Sequence, residues 1–269
     1  MEDHVPGCYA VWEDPAIVPV LPKPLDVLER RFRRRFIETH ELLGRGKVLT
    51  AFDRGDEAYL DHIVALRLRM INRKLMKSQA SIHIDISKYF ARGLHRAFAR
   101  ALPGLSLIRL LRDPVLNMRS YLNRNKNFLL DNNLPDAQSN ILRFNSVNME
   151  KGELYLWAWC EMYLRFDRLV EEFKIERAVE IRTEHLTDAA RMNAALDALG
   201  LPHTPVVPAA PVNTNAEHGY GRTRILQGDL DLFERFLKRL PADVRRRITY
   251  FETYQPGQSA TLVTAGLRK

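Results

Sequence analysis

The residues best placed to do chemistry lie in Leu107-Ile-Arg-Leu-Leu-Arg112-Asp-Pro-Val-Leu-Asn-Met-Arg-Ser120-Tyr. Leu105 to Leu111 is an apolar run that predicts a strongly buried strand, and Pro114 to Asn123 predicts a helix. Proline suits the first helical turn, where its missing N–H costs nothing. A strand that ends in Arg112 and turns through Asp113-Pro114 into a helix offers a ready anion site. The first helical N–H groups face the turn, and the helix dipole favours negative charge there. Arg112 also stands at the carboxyl end of its strand, where open α/β sheets bind ligands. A guanidinium grips a phosphate through paired hydrogen bonds, and the Ser120 hydroxyl, eight residues on, can fix its orientation. Taken alone, a short Arg-Asp-Pro more often marks a structural joint whose arginine pairs with a carboxylate.

The elements that must position these residues follow from pattern. Met1 to Pro24 holds five prolines and reads as loop and extended chain. Asp26 can cap a helix through Leu28, Phe32 and Phe36 to Leu43, with Arg30 to Arg35 on its other faces, a solvated basic face before a nucleic-acid stripe. Val48 to Phe52 reads as a strand and about Asp56 to Leu75 as a long helix. Ser81 to Ile86 is a strand, Lys88 to Leu102 a helix, and the Arg112 unit follows. Asn123 to Asn148 is polar and reads as a mobile loop or lid. A helix over Glu150 to Phe173, a strand over Val179 to Ile181 and a helix over Thr187 to Leu199 come next. Residues 202–227 read as linker, and two helices, Asp229 to Leu240 and Ala242 to Phe251, complete the chain. Strands alternating with helices imply a parallel sheet with right-handed crossovers.

Bulk properties narrow the class. The 269 residues suit one large α/β unit, and 46% hydrophobic residues allow a sizeable core. Lys and Arg number 41 against 33 Asp and Glu, a net charge of +8. That balance suits a nucleotide, nucleic acid, sulfated glycan or membrane surface, and equally a soluble protein with no polyanion partner. Cys8 and Cys160 are the two cysteines, with no zinc-type spacing, which suits a reducing compartment while leaving one disulfide open. No apolar run approaches the roughly 20 residues that span a bilayer. No signal peptide is visible, so a cytoplasmic protein without metal is the expectation.

Arg112, Asp113, Pro114, Ser120 and Tyr121 resemble, in type and spacing, the 3′-phosphate-binding strand, loop and helix of sulfotransferases. Those enzymes use 3′-phosphoadenosine 5′-phosphosulfate (PAPS). Further segments resemble the family in order over about residues 4 to 202. Leu154-Tyr-Leu-Trp157-Ala-Trp-Cys is similar to its Trp-bearing helix. Val179-Glu-Ile-Arg-Thr-Glu184-His-Leu186 is similar to its Tyr-Glu-x-Leu segment, and Ala195-Leu-Asp-Ala-Leu-Gly200-Leu-Pro202 to the helix end that follows. His4-Val-Pro-Gly-Cys-Tyr-Ala-Val-Trp-Glu13-Asp-Pro resembles a region of tyrosylprotein-type and related sulfotransferases.

The resemblance implies a P-loop-NTPase-like three-layer α/β fold, with a central parallel sheet and helices on both faces, in a single domain over 1–269. It implies PAPS as co-substrate, no nucleic-acid partner, and a small-molecule, carbohydrate or peptidyl hydroxyl acceptor. Arg112 and Ser120 would hold the 3′-phosphate. Arg222 and Arg224, in Gly219-Tyr-Gly-Arg222-Thr-Arg224, would close over it, or form a plain basic loop. Glu13 would be the general base, taking the acceptor proton, or an ordinary loop glutamate. His40 ranks second, since the family's Lys-x-His setting lacks its lysine here. Asp85-Ile-Ser87-Lys88 would line the acceptor pocket or cap the next helix.

The sequence departs from the family at the P-loop that holds the 5′-phosphosulfate. Gly44-Arg-Gly-Lys47 precedes a strand rather than following one, and Phe52-Asp-Arg-Gly-Asp-Glu carries three acids that would repel the donor. The first strand and P-loop are therefore expected to precede Met1. Two readings stay open, an active sulfotransferase and a catalytically degenerate nucleotide- or polyanion-binding protein of the same fold.

Overall fold

The computed structural model describes residues 3–12, 25, 28, 32, 41–87, 89–124, 134–207, 224–252 and 254. The chain divides into two compact units, 1–105 with 201–204 and 106–200 with 205–269. The described chain is mixed α/β, with two parallel ladders of two strands each; a single central sheet is not among its features.

In the first unit β1 (Cys8–Trp12) pairs parallel with β2 (Ile82–Ile86), Cys8 opposite Ile82 and Trp12 opposite Ile86. This strand is part of the stretch 1–24 expected as loop and extended chain; residues 13–24 lie outside the described residues. The prolines flank Cys-Tyr-Ala-Val-Trp without entering it, and the run itself favours a pleated strand. α1 (Lys47–Arg54) replaces the strand expected at Val48 to Phe52. A short apolar run does not reveal its own period. Here Val48 and Ala51 are buried at helical spacing, and Gly55, at φ 68°, closes the turn by donating its N–H to the carbonyls of Ala51 and Phe52. α2 (Glu57–Ser78) starts at Asp56, whose side chain accepts from the Tyr59 N–H, and buries Leu60, Ile63, Val64, Arg67 and Ile71 along one face. A π-helical turn (Phe90–Leu94) runs into α3 (His95–Ala101). Val48, Leu60, Val64, Leu94 and Phe98 form this unit's core. Of the helix expected over 26–43 only Leu28, Phe32 and residues 41–43 are described; Leu28 and Phe32 are helical and exposed, and 41–43 form a turn in which Leu43 is buried.

In the second unit β3 (Leu107–Leu111) pairs parallel with β4 (Ala178–Arg182), Leu107 opposite Ala178 and Leu111 opposite Arg182. β3 is not buried on both faces as expected. Leu107 and Leu111 are buried, while Ile108 and Leu110 on the alternate face are 37% and 52% exposed. The helices α4 (Pro114–Asn123) and α5 (Lys151–Phe173) lie between the two strands in sequence. α6 (Ala189–Ala198), α7 (Gln227–Arg239), α8 (Ala242–Arg247) and a 3₁₀ turn (Thr249–Phe251) follow. Val115 and Met118 of α4, Trp157, Cys160 and Leu164 of α5, and Phe233 and Phe236 of α7 form one core. Two aromatic contacts tie the C-terminal turn to α5: Trp159 stacks on Phe251, with centroids 5.6 Å apart, and meets Tyr250 edge-on at 5.2 Å.

Candidate anion site at the end of the third strand

β3 delivers the chain to Arg112, and Asp113 turns it into α4. Asp113 keeps an extended backbone (φ −43°, ψ 123°), while its Oδ1 accepts from the N–H groups of Val115 and Leu116, both at 2.9 Å. The Asp113 carbonyl accepts from the Asn117 N–H at 2.8 Å, and Pro114 has no N–H to offer. The first N–H groups of α4 are therefore committed to Asp113. This corrects the expectation that they stand open to an anion. What remains for an anion is side-chain chemistry, chiefly that of Arg112.

Arg112 is partly buried. Burial, then the neighbouring Arg124, pull its guanidinium below the ordinary arginine range, while Asp113 and Tyr121 pull the other way. Among the described residues no hydrogen bond or ion pair takes its guanidinium. Arg109, three residues earlier on the same strand, is the contrast. It pairs with Asp167 at 2.5 Å and Glu180 at 2.7 Å, and lies 3.7 Å from the Tyr163 ring centroid. One arginine of β3 is fully used by the fold and the next is not.

Ser120 is buried on α4. At about 100° per residue, its azimuth returns to within about 20° of that of Asp113, two turns further along. Arg112 interacts electrostatically with Tyr121 of α4 and with Arg124 at the end of that helix, the same helix that carries Ser120. Tyr121 is itself fixed by stacking on Tyr155, centroids 4.9 Å apart. The carboxyl end of β4 supplies the other wall. Glu184, in the 3₁₀ turn Thr183–His185, raises the proton affinity of both Asp113 and Tyr250. Burial is the larger cause for Asp113. It outweighs three hydrogen bonds and pushes the carboxyl above its usual range, and among the described residues no donor reaches the buried Oδ2.

The back of the loop is braced by residues that pattern reading does not single out. The Trp159 indole N–H donates to the Arg112 carbonyl at 2.9 Å. The Tyr254 hydroxyl donates to Asp113 Oδ1 at 2.9 Å. The Tyr163 and Thr249 hydroxyls share a hydrogen bond of 2.9 Å, and the Arg182 guanidinium lies 4.6 Å from the Tyr250 ring centroid. Asp-Pro before a helix already signals the cap. Nothing local signals Tyr254, 141 residues away.

Arg224 is exposed in the coil before α7, and among the described residues no hydrogen bond or ion pair joins it to Arg112. Glu13, His40 and Arg222 lie outside the described residues. The Asp85-Ile-Ser87-Lys88 segment divides its roles. Asp85 pairs with the buried Arg67 of α2, and the Ser87 hydroxyl accepts from the Tyr89 N–H at 3.2 Å just ahead of the π-helical turn, which has no side-chain cap of its own. Cys8 and Cys160 are not joined in a disulfide. Among the described residues no helix is long and apolar enough to cross a membrane, and no cluster of three or more metal-ligating side chains occurs. Compared with known protein families, curated proteins and solved structures, the chain has no significant match.

Proposed function

We propose that this chain binds PAPS through Arg112 and Ser120 and transfers its sulfuryl group to a hydroxyl acceptor. One observation carries the reading: Arg112 is a partly buried guanidinium, with no acceptor among the described residues, just past the carboxyl end of a parallel strand. Holding a charge away from water without a partner is costly, and a bound phosphate removes that cost. The Ser120 hydroxyl, on the helix that follows Arg112, would add a neutral donor that a doubly charged phosphate accepts.

The donor supplies the sulfuryl group and a stable bisphosphate leaving group. The chain's tasks are to hold the 3′-phosphate and to take the acceptor's proton. As the acceptor oxygen bonds to sulfur, the bond from sulfur to the 5′-phosphate oxygen breaks, its electron pair leaves with the phosphate, and the acceptor proton passes to a base. Glu13 is assigned that base and His40 is the reserve.

Calorimetric titration with adenosine 3′,5′-bisphosphate, the product of this transfer, tests the binding half. Arg112→Ala should weaken binding about a hundredfold, as expected when a charged hydrogen-bonding group is lost from a desolvated pair. Equal affinity in parent and variant would remove Arg112 from the site. Transfer of labelled sulfate that collapses in Glu13→Gln supports the enzyme. Binding without any transfer makes the chain a nucleotide-binding relative that lacks catalysis.

A further inference from the structure

We propose that Tyr254 is a positioning residue for this site, acting through the Asp113 cap to set the direction of Arg112. The inference rests on the proposed function, because it names what orients the phosphate-binding arginine. Asp113 Oδ1 already accepts two N–H groups from the first turn of α4, and the Tyr254 hydroxyl is its third donor. Those two N–H bonds fix the carboxylate relative to α4 alone. The bond from Tyr254 fixes it to a different part of the fold.

That part is well anchored. Thr249 bonds to Tyr163 of α5, Tyr250 is buried against Arg182 of β4, and Phe251 stacks on Trp159. Tyr254 meets Phe233 of α7 edge-on at 5.4 Å and lies the same distance from Tyr250. Trp159 closes the frame by donating to the Arg112 carbonyl. Arg112 thus stands between two bonds to one aromatic cluster, one at its own carbonyl and one at the next side chain. Two fixed points on adjacent residues hold the backbone of Arg112, and with it the point and direction from which its side chain leaves the chain. Such pre-organisation strengthens binding by lowering the ordering cost when the ligand arrives.

The test compares two probes on the full chain, adenosine 3′,5′-bisphosphate and adenosine 5′-monophosphate, which differ by the 3′-phosphate. Tyr254→Phe deletes one hydroxyl and keeps the ring contacts. It should weaken the bisphosphate about tenfold and leave the monophosphate within about twofold, so the preference between the probes narrows. Thr249→Val, which loosens the same segment from Tyr163, should narrow it in the same direction and serves if Tyr254→Phe does not fold. A purely structural role would weaken both probes equally and keep the preference, which overturns the inference. If the parent shows no preference for the 3′-phosphate, the phosphate site itself is wrong and the positioning role falls with it. If the parent shows the preference and both variants retain it, only the positioning role is lost.

Discussion

Asp113 does two jobs that conflict electrostatically. As the cap of α4 it is useful as an acceptor, yet its carboxyl is 1% exposed and burial pushes its proton affinity up. The folded chain therefore holds the Asp113 proton more tightly than the unfolded chain does. By linkage, its contribution to stability is fully present below the ordinary Asp value, about 3.9, and is lost as pH rises through the raised folded value. Asn keeps an oxygen acceptor for Val115, Leu116 and Tyr254 but cannot ionise. Asp113→Asn should match the parent in acid and become relatively more stable as pH rises, read as urea midpoints over a pH series. Asp113→Ala should lose about 1–2 kcal/mol in acid, because two helical N–H groups lose their cap, and that deficit should shrink as pH rises. An asparagine variant that is less stable than the parent throughout would show that Asp113 works as an anion, not as a polar cap.

Individual elements are held by buried polar bonds as much as by apolar faces. Coil 134–148, the described part of the expected loop, is fastened to α5 through Glu161. That carboxylate is wholly buried and accepts from the Ile141 and Leu142 N–H groups and from Arg165 at 2.6 Å. Arg165 in turn donates to Asn140 Oδ1, and the Trp157 indole N–H donates to the Leu142 carbonyl. Removing one partner of a buried pair leaves the other charge without compensation. Glu161→Ala should therefore cost about 3–5 kcal/mol, whereas replacing Glu161 and Arg165 together with apolar residues of similar volume should cost less. Chemical denaturation of the two variants decides it; a double variant as unstable as the single one would mean that the pair's packing, not its charge, holds the coil. The element pattern itself was largely legible. The helices α2, α4 and α5 and the strands β2, β3 and β4 stand close to their expected positions, because long helical periodicity and the Asp-Pro start are local signals. α1 was misread as a strand because it is a short apolar run, whose period is settled by what it packs against.

At the scale of the whole molecule, the net charge of +8 invites a polyanion reading, whereas the Arg112 site asks for one small anion. The two differ in salt dependence. A small nucleotide carries no condensed counterion layer to release, so raising salt from about 50 to about 200 mM should weaken bisphosphate binding less than tenfold, against about 10³ or more for a protein that covers many phosphates of a duplex. Titrating the nucleotide and a mixed-sequence oligonucleotide across that range separates them. A steep slope for the oligonucleotide at higher affinity than the nucleotide would favour the basic face around Arg30 to Arg35 over the Arg112 site.

The sequence by itself determined the strand–turn–helix around Arg112, the helical start at Pro114 and the position of Ser120 on that helix. These depend on residues within one turn or strand of each other, so their information is local. The tertiary structure decided which charges are already used. It committed Arg109 to Asp167 and Glu180, closed the first N–H groups of α4 with Asp113, and left Arg112 without an acceptor among the described residues. It also brought Tyr254 and Trp159 to the loop from 141 and 47 residues away. A hydrogen bond constrains where two groups meet in space and leaves no periodicity along the chain, which is why those partners emerge only from the folded molecule.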